Sequence, residues 1–202
     1  MKGENQILNF THYVFIFAHP DEEIYTCNFM ADLARGGKLL DVVYVTSGDY
    51  HGKEMGELRE QEALEAMKLI GIPEDKVHFL RIPERELINR LQGTLTLALD
   101  SILVLKPDCI ISHDFEGGHN HHDAVSFCAS KISEKLDVPL YVFPAYYGWP
   151  EQRFFNQFIP PRKVTYTHEL APEQKNFKMK VMSAHKSQWG GFMEAIEQSN
   201  DQ

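Results

Sequence analysis

The 202-residue chain is 43% hydrophobic and 24% charged, a composition typical of one globular domain covering residues 1–202. Its 20 Lys and Arg against 29 Asp and Glu give a formal net charge of -9, so we expect neither a nucleic-acid partner nor an anionic membrane surface. The three cysteines, Cys27, Cys109 and Cys128, form no CxxC pair, so a thiolate zinc site is not expected.

The first residues of the sequence do not have the pattern expected of a signal peptide. Residues 1–6 are polar and acidic, which argues against a signal peptide. No apolar stretch approaches the roughly 20 residues that a membrane span needs. We therefore expect a cytoplasmic protein without a membrane span.

Apolar runs and segments with helical spacing alternate along the chain. Residues 13–17 are β-branched and aromatic without alternation, as in a strand buried on both faces. In chain order, the further predictions are a helix at 22–35, a strand at 39–46, a helix at 57–70, a strand at 77–80, a helix at 88–105, a strand at 109–112, a helix at 124–135, strands at 140–143 and 163–169, and a helix at 172–188. This alternation predicts a Rossmann-like three-layer α/β sandwich, with a mainly parallel sheet and an active site at the carboxyl ends of the strands.

Residues 144–163 are rich in aromatic side chains and prolines. We expect an ordered loop over one face, whose residues 144–161 could also serve as the interface of a homo-oligomer. Tyr146, Tyr147 and Trp149 could stack against a sugar ring, since amphipathic aromatic side chains suit such faces. Packing within the protein is the more common role of such a cluster.

The segment Ala-His-Pro-Asp-Glu-Glu, residues 18–23, lies between the first predicted strand and the first predicted helix. It places an imidazole and three carboxylates at a strand's carboxyl end, where open α/β sheets bind ligands. Zinc accepts both histidine nitrogen and carboxylate oxygen, so a metal site is one interpretation. The other is a helix start, with Pro20 at the first helical position and the acidic side chains complementing the helix dipole.

The loop 113–123 decides between these interpretations. It carries four of the ten histidines, namely His113, His119, His121 and His122. Because this loop also leaves the carboxyl end of a predicted parallel strand, it should meet residues 18–23 at the same rim of the sheet. Such a cluster opposite a second His-carboxylate segment favours a metal centre.

These residue types supply what hydrolysis needs. A catalytic zinc uses three protein ligands and keeps a position for water, whose pKa it lowers to about 7. His19 and Glu22 are three residues apart across a turn, so both could reach one ion while Asp21 points elsewhere. Asp21 is then a natural general base.

The chain resembles the PIG-L/LmbE-like zinc de-N-acetylases. The family's Ala-His-Pro-Asp-Asp-Glu motif stands here as residues 18–23, and its Gly-His-x-Asp/Asn-His motif as Gly-His-Asn-His-His at 118–122. The resemblance implies a zinc ion bound by His19, Glu22 and His122. It also implies that Asp21 is the general base and that His119 stabilises the tetrahedral intermediate.

Two positions depart from the family pattern. Glu22 replaces the usual aspartate ligand and is one methylene longer, so the metal position could shift. His121 replaces the usual Asp or Asn and could compete with His122 as ligand. The spacing from Gly118 and His119 favours His122.

Weaker matches concern five further polar residues. The resemblance implies that Arg59 contacts the substrate, whereas a salt bridge is the simpler alternative. Asp49 could line the mouth of the site or merely sit in a turn. His113 could orient a metal-bound group or cap its strand, and His185 and Gln188 could approach the site or cap the last helix.

The resulting expectation is a zinc-dependent hydrolase that removes an N-acyl group, most simply acetyl, from an amino-sugar-containing small molecule or glycoconjugate. Another divalent metal would also suit the ligands. One alternative is a different metal-dependent amidase or a phosphoesterase. The other is an α/β binding protein with a catalytically disabled site.

Overall fold

The computed structural model describes residues 6–148, 153–159, 162 and 164–200. Its main sheet has five parallel strands: β1 (His12–Phe17), β2 (Leu39–Thr46), β3 (Val77–Ile82), β4 (Cys109–His113) and β5 (Leu140–Phe143). Their order across the sheet is β3-β2-β1-β4-β5, with Phe15 of β1 between Val42 of β2 and Ile111 of β4. This is the strand order of a Rossmann-like fold, which confirms the predicted α/β class.

Helices follow the strands. In chain order they are α1 (Cys27–Arg35), α2 (Lys53–Ile70), α3 (Leu91–Leu103), α4 (Asn120–Leu136), α5 (Pro172–Met182) and α6 (Trp189–Asn200). A short antiparallel pair, β6 (Tyr146–Tyr147) and β7 (Phe154–Phe155), lies apart from the main sheet.

The core forms two layers because successive side chains of β1 point to opposite faces of the sheet. Tyr13 and Phe15 belong to the cluster that packs against α1, α2 and α5. Val14 and Ile16 belong to the cluster that packs against α3 and α4. Every residue of β1 is buried, as expected of a central parallel strand covered on both faces.

Two helices begin four residues earlier than the sequence predicts. Helix α2 starts at Lys53 rather than at residue 57, and α4 starts at Asn120 rather than at residue 124. His121 and His122 therefore stand in the first turn of α4, not in a loop. A helical backbone fixes the directions of their side chains.

The C-terminal part differs more from the prediction. Residues 164–169 form no strand, since Tyr166 packs its ring against Phe29 of α1 instead of joining a ladder; residue 163 lies outside the described residues. The helix predicted at 172–188 ends at Met182, and α6 was not predicted. Gly190 and Gly191 lower the helix propensity of that segment.

No helix in the described part of the chain is long and apolar enough to cross a membrane. The expected loop at 144–163 contains β6 and β7. The cytoplasmic location and the homo-oligomer stay predictions.

Candidate active site

The turn after β1 folds the Glu22 carboxylate back onto the backbone of the same motif. Oε2 of Glu22 accepts hydrogen bonds from the backbone N–H groups of Ala18 and His19, at 2.7 and 2.9 Å. Glu22 begins a short 3-10 turn, Glu22–Tyr25, that precedes α1. These contacts hold its carboxylate at the carboxyl end of β1, the central strand of the sheet.

Three imidazoles surround this carboxylate. Oε1 of Glu22 lies 2.6 Å from Nδ1 of His19 and 2.7 Å from Nε2 of His122. Oε2 lies 2.7 Å from Nε2 of His113, a residue with no exposed surface at the end of β4. The structure thus brings the two histidine motifs together, as the sequence predicts, and places His113 against the same carboxylate.

The charges in this group shift the pKa values in opposite directions. Burial acts to raise the pKa of Glu22, but the surrounding imidazoles, His113 foremost, hold it well below its usual range. Burial acts to lower the pKa of His122, but the charge of Glu22 and hydrogen bonds to two carboxylates raise it to about 10. In the absence of an ion, Glu22 and His122 therefore form a buried ion pair.

The orientation of His122 is set by Glu116, which the sequence analysis missed. Oε2 of Glu116 lies 2.7 Å from Nδ1 of His122, so Nε2 must face Glu22. Oε1 of Glu116 accepts hydrogen bonds from the backbone N–H groups of Ala145 and Tyr146, at 2.6 and 3.0 Å. An acidic residue in the histidine loop was the available signal, because metal-binding imidazoles commonly donate their second N–H to a carboxylate.

His119 immediately precedes α4 and stacks on His122, with ring centroids 4.1 Å apart. Its Nδ1 is buried without a hydrogen-bond partner among the described residues. Burial, together with the neighbouring imidazoles, lowers the pKa of His119 to about 2. His119 is therefore a neutral imidazole that faces the site with an unused polar atom.

His121 points to a different neighbour. Its Nδ1 lies 2.8 Å from Nε2 of His19 and 4.0 Å from Oε2 of Glu84. Burial and the proximity of His19 lower the pKa of His121 to about 4. His121 therefore contacts the ring nitrogen of His19 that points away from Glu22.

Three groups of side chains offer ligand atoms within 4.8 Å of one another. These groups are His19, His119 and His122; His19, Glu84 and His121; and Glu22, His113 and His122. The expected set of His19, Glu22 and His122 is not one of the three, although both imidazoles contact the same oxygen of Glu22.

The donors at this point fit zinc. Imidazole nitrogen and carboxylate oxygen are its usual ligands, and three of them leave a position open. The unpartnered Nδ1 of His119 also fits, because a buried polar atom without a partner costs free energy that a bound group would recover.

Asp21 and Arg59 form the adjacent wall of the site. Nη2 of Arg59 lies 2.9 Å from Oδ1 of Asp21, and Nη1 lies 3.6 Å from Oε1 of Glu84. Burial acts to lower the pKa of Arg59, but these two carboxylates raise it. Arg59 is thus a buried salt-bridging residue that fixes Asp21, which was the simpler of the two interpretations.

The active-site cleft has a volume of about 270 Å³. Its aromatic lining residues are Tyr25, Tyr146, Phe155 and Phe192, and its polar lining comprises His19, Asp21, Glu22, Arg59, Glu84, His119, His122, Arg153 and Gln188. Of the residues named from sequence, His121, Asp49 and Tyr147 are not among its lining residues, and Trp149 lies outside the described residues. Asp49 instead sits in a turn, where Oδ1 accepts a hydrogen bond of 3.0 Å from the backbone N–H of Glu84.

Glu23 and His185 form a buried pair beneath the cleft. Nε2 of His185 lies 2.5 Å from Oε1 of Glu23, and the hydroxyl of Tyr44 donates to Oε2 at 2.6 Å. Glu23 and His185 have no exposed surface. Sequence analysis did not predict this pair, which anchors the segment between α5 and α6 to the first motif.

The family model described as PIG-L, GlcNAc-PI de-N-acetylase, matches residues 14–133, which is more than half of the chain and includes both histidine motifs.

Solved structures with similar folds have low sequence identity to this chain. N,N'-diacetylchitobiose deacetylase from Pyrococcus horikoshii is 17% identical, with a TM-score of 0.70 over 97% of this chain and 80% of that one. A deacetylase of teicoplanin biosynthesis is 14% identical, with a TM-score of 0.70 over 88% of this chain and 85% of that one. The 4-carboxy-2-hydroxymuconate hydratase of Pseudomonas putida KT2440 is also 14% identical, with a TM-score of 0.54 over 92% of this chain and 84% of that one. Since a hydratase has this fold too, the fold alone does not define the reaction.

Proposed function

Because this chain belongs to the PIG-L (GlcNAc-PI de-N-acetylase) family, we propose that it is a zinc-dependent hydrolase that removes an N-acyl group, most simply acetyl, from an amino-sugar-containing small molecule. One observation carries the proposal. The two family motifs, which are far apart in sequence, converge so that His19 and His122 both contact Oε1 of Glu22.

His19, Glu22 and His122 would hold the ion. When bound there, zinc would polarise the acyl carbonyl and lower the pKa of a water molecule. We favour His122 over His121 because Glu116 turns Nε2 of His122 towards Glu22, whereas His121 contacts Nε2 of His19. Accordingly, His122→Ala should lose zinc while His121→Ala retains it; the reverse result would assign the ligand to His121.

Asp21 would act as the general base. Arg59 engages its Oδ1, so the side chain is held in place and Oδ2 can take the proton of the attacking water. The water oxygen then bonds to the carbonyl carbon. When the C–N bond breaks, Asp21 returns the proton to the leaving nitrogen, which gives a carboxylic acid and a free amine; the acid then releases its remaining proton to water and becomes a carboxylate.

His119 would stabilise the oxyanion that forms during this attack. Because its pKa is lowered to about 2, we assign it the role of a neutral N–H donor rather than of a proton source. Removing one oxyanion donor typically lowers kcat by about 10²–10³.

The size of the cleft supports a small substrate. About 270 Å³ lies near the lower end of the volumes of ligand sites, which suits one sugar ring with its acyl group. Tyr146 and Phe155 on its wall offer aromatic surface for the sugar.

The experiment that tests this proposal is acetate release from a panel of N-acetylated amino sugars, by protein stripped with a chelator and then reloaded with zinc. We expect activity only after reloading, and little on matched phosphoesters. Hydrolysis of phosphoesters alone would instead identify a phosphoesterase, and activity without metal would refute the zinc requirement.

One observation favours a second candidate, a binding protein with a disabled site. Oε1 of Glu22 contacts both His19 and His122, which gives these imidazoles a partner within the protein. This candidate predicts a wild type that binds no zinc and releases no acetate, and a Glu22→Asp variant, with the usual family ligand, that gains neither. Zinc binding or acetate release by the wild type would rule this candidate out.

A further inference from the structure

A second cavity, about 610 Å³ in volume, is more than twice as large as the active-site cleft. It lies between β5 at the sheet edge, the first turn of α1 and the described residues between Asn156 and Leu170. Apolar and aromatic side chains form most of its wall, among them Phe29, Ile111, Tyr141, Phe143, Phe158 and Tyr166. Its volume lies within the range of sites that enclose a small organic molecule.

This cavity is distinct from the active-site cleft. The two share only Ile24 and Tyr25 among their lining residues, and no expected metal ligand lines the second cavity. An occupant of this cavity would therefore lie behind the wall of the active site, apart from the reacting groups.

The second cavity has basic but no acidic side chains in its described lining. The basic residues are Arg162, His168 and Lys178, although the chain has a net charge of -9. Arg162 pairs with Asp114 at 2.7 Å, and His168 pairs with Asp32 at 3.0 Å. Lys178 is different, because it makes no ion pair with any carboxylate of the described residues.

Lys178 is thus a half-buried ammonium beside an apolar cavity. Burial lowers its pKa, although the adjacent thiol of Cys27 acts in the opposite direction. Cys27 and Asn28 belong to the first turn of α1, which forms part of the same wall. The positive end of that helix dipole therefore adds to the field of the ammonium.

From this combination of an apolar cavity, an ammonium without an acidic partner and a helix N-terminus, we propose that the second cavity binds a carboxylate with an apolar tail, such as a medium-chain fatty acid. The carboxylate would pair with Nζ of Lys178, and the tail would lie among the aromatic side chains. A single ammonium beside apolar walls suits a ligand whose head group carries one negative charge, because a desolvated cation is stabilised mainly by a close counter-ion.

The test is a calorimetric titration of zinc-free protein with decanoate, with decanol as the neutral probe. We expect decanoate to bind at one site per chain, and Lys178→Met to weaken it at least tenfold while leaving decanol binding unchanged. Lys180→Met, at an exposed position of the same helix, is the matched control and should bind decanoate like the wild type. Val164→Trp, at a partly exposed position of the cavity wall, should narrow the cavity and weaken both probes.

Three results would overturn the proposal. These are no decanoate binding at millimolar concentration, equal binding by the two lysine variants, and binding that His122→Ala abolishes, which would place decanoate in the active site. A fourth such result would be a dimer in sedimentation measurements that excludes decanoate, since a second copy would then cover the cavity. The proposal does not depend on the deacetylase activity, so either can fail alone.

Discussion

Glu23→Ala should destabilise the fold by about 3–5 kcal/mol, the usual cost of leaving one partner of a buried charge pair alone. Glu23 and His185 have no exposed surface and lie 2.5 Å apart. The hydroxyl of Tyr44 would also lose its acceptor. For a chain of this length, such a loss corresponds to a fall in Tm of about 6–20 °C.

The effect should depend on pH. Burial acts to lower the pKa of His185, but the charge of Glu23 and its hydrogen bond raise it above the ordinary value. A raised pKa means that the folded state holds the proton more tightly than the unfolded state. The contribution of the pair is therefore complete below about pH 6.5, the unperturbed pKa of histidine, and is lost as pH rises through the pKa of folded His185.

Urea unfolding followed by circular dichroism measures both effects. The difference in unfolding free energy between wild type and Glu23→Ala should shrink as pH rises above about 6.5. Glu57→Ala, at an exposed position of α2, is the matched control and should change stability by about 0.5 kcal/mol or less. A double-mutant cycle with His185→Leu should give a coupling of about 1–3 kcal/mol.

A fall in unfolding free energy below about 1 kcal/mol for Glu23→Ala would refute the reasoning, and so would a coupling free energy near zero between Glu23 and His185. Removing one partner of a buried charge pair should leave the other without compensation and so destabilise the fold. Either result would mean that water or a rearranged segment between α5 and α6 replaces the carboxylate.

Three further predictions concern the metal centre and two glycines. Glu116→Gln should weaken zinc binding about 10–100-fold in chelator competition, because it loosens the orientation of His122; unchanged affinity would contradict that role. Gly56→Ala should cost about 1–3 kcal/mol in urea unfolding, since its Cβ would lie 2.7 Å from the carbonyl oxygen of Ser47, and a neutral result would show that this turn can move. Gly93 lies in α3, and a Cβ added there would meet no neighbouring residue within 4 Å. Gly93→Ala should therefore raise the unfolding free energy by up to about 1 kcal/mol; a lower unfolding free energy would show that the added methyl group does not fit.

The sequence predicts the sheet and both halves of the site well. The strand at 39–46 matches β2, and 13–17 misses only His12 of β1, because buried parallel strands appear as continuous apolar runs. Residues 18–23 and the histidines of 113–123 meet where the parallel topology requires it.

What the sequence does not predict depends on contacts between distant segments. Glu116 is one carboxylate among many until the fold shows that it orients His122. Glu23 is one of the acidic side chains that could complement a helix dipole, yet it pairs with His185 from the other end of the chain. Likewise, no local pattern indicates that Lys178 faces an apolar cavity lined by α1 and β5.

The most direct test of the proposed activity is acetate release by the wild type and by Asp21→Asn at equal, measured zinc content. The account predicts that both bind zinc and that the variant loses about 10²–10⁴-fold in kcat. Undiminished acetate release by the variant, or a wild type that holds no divalent metal, would contradict it.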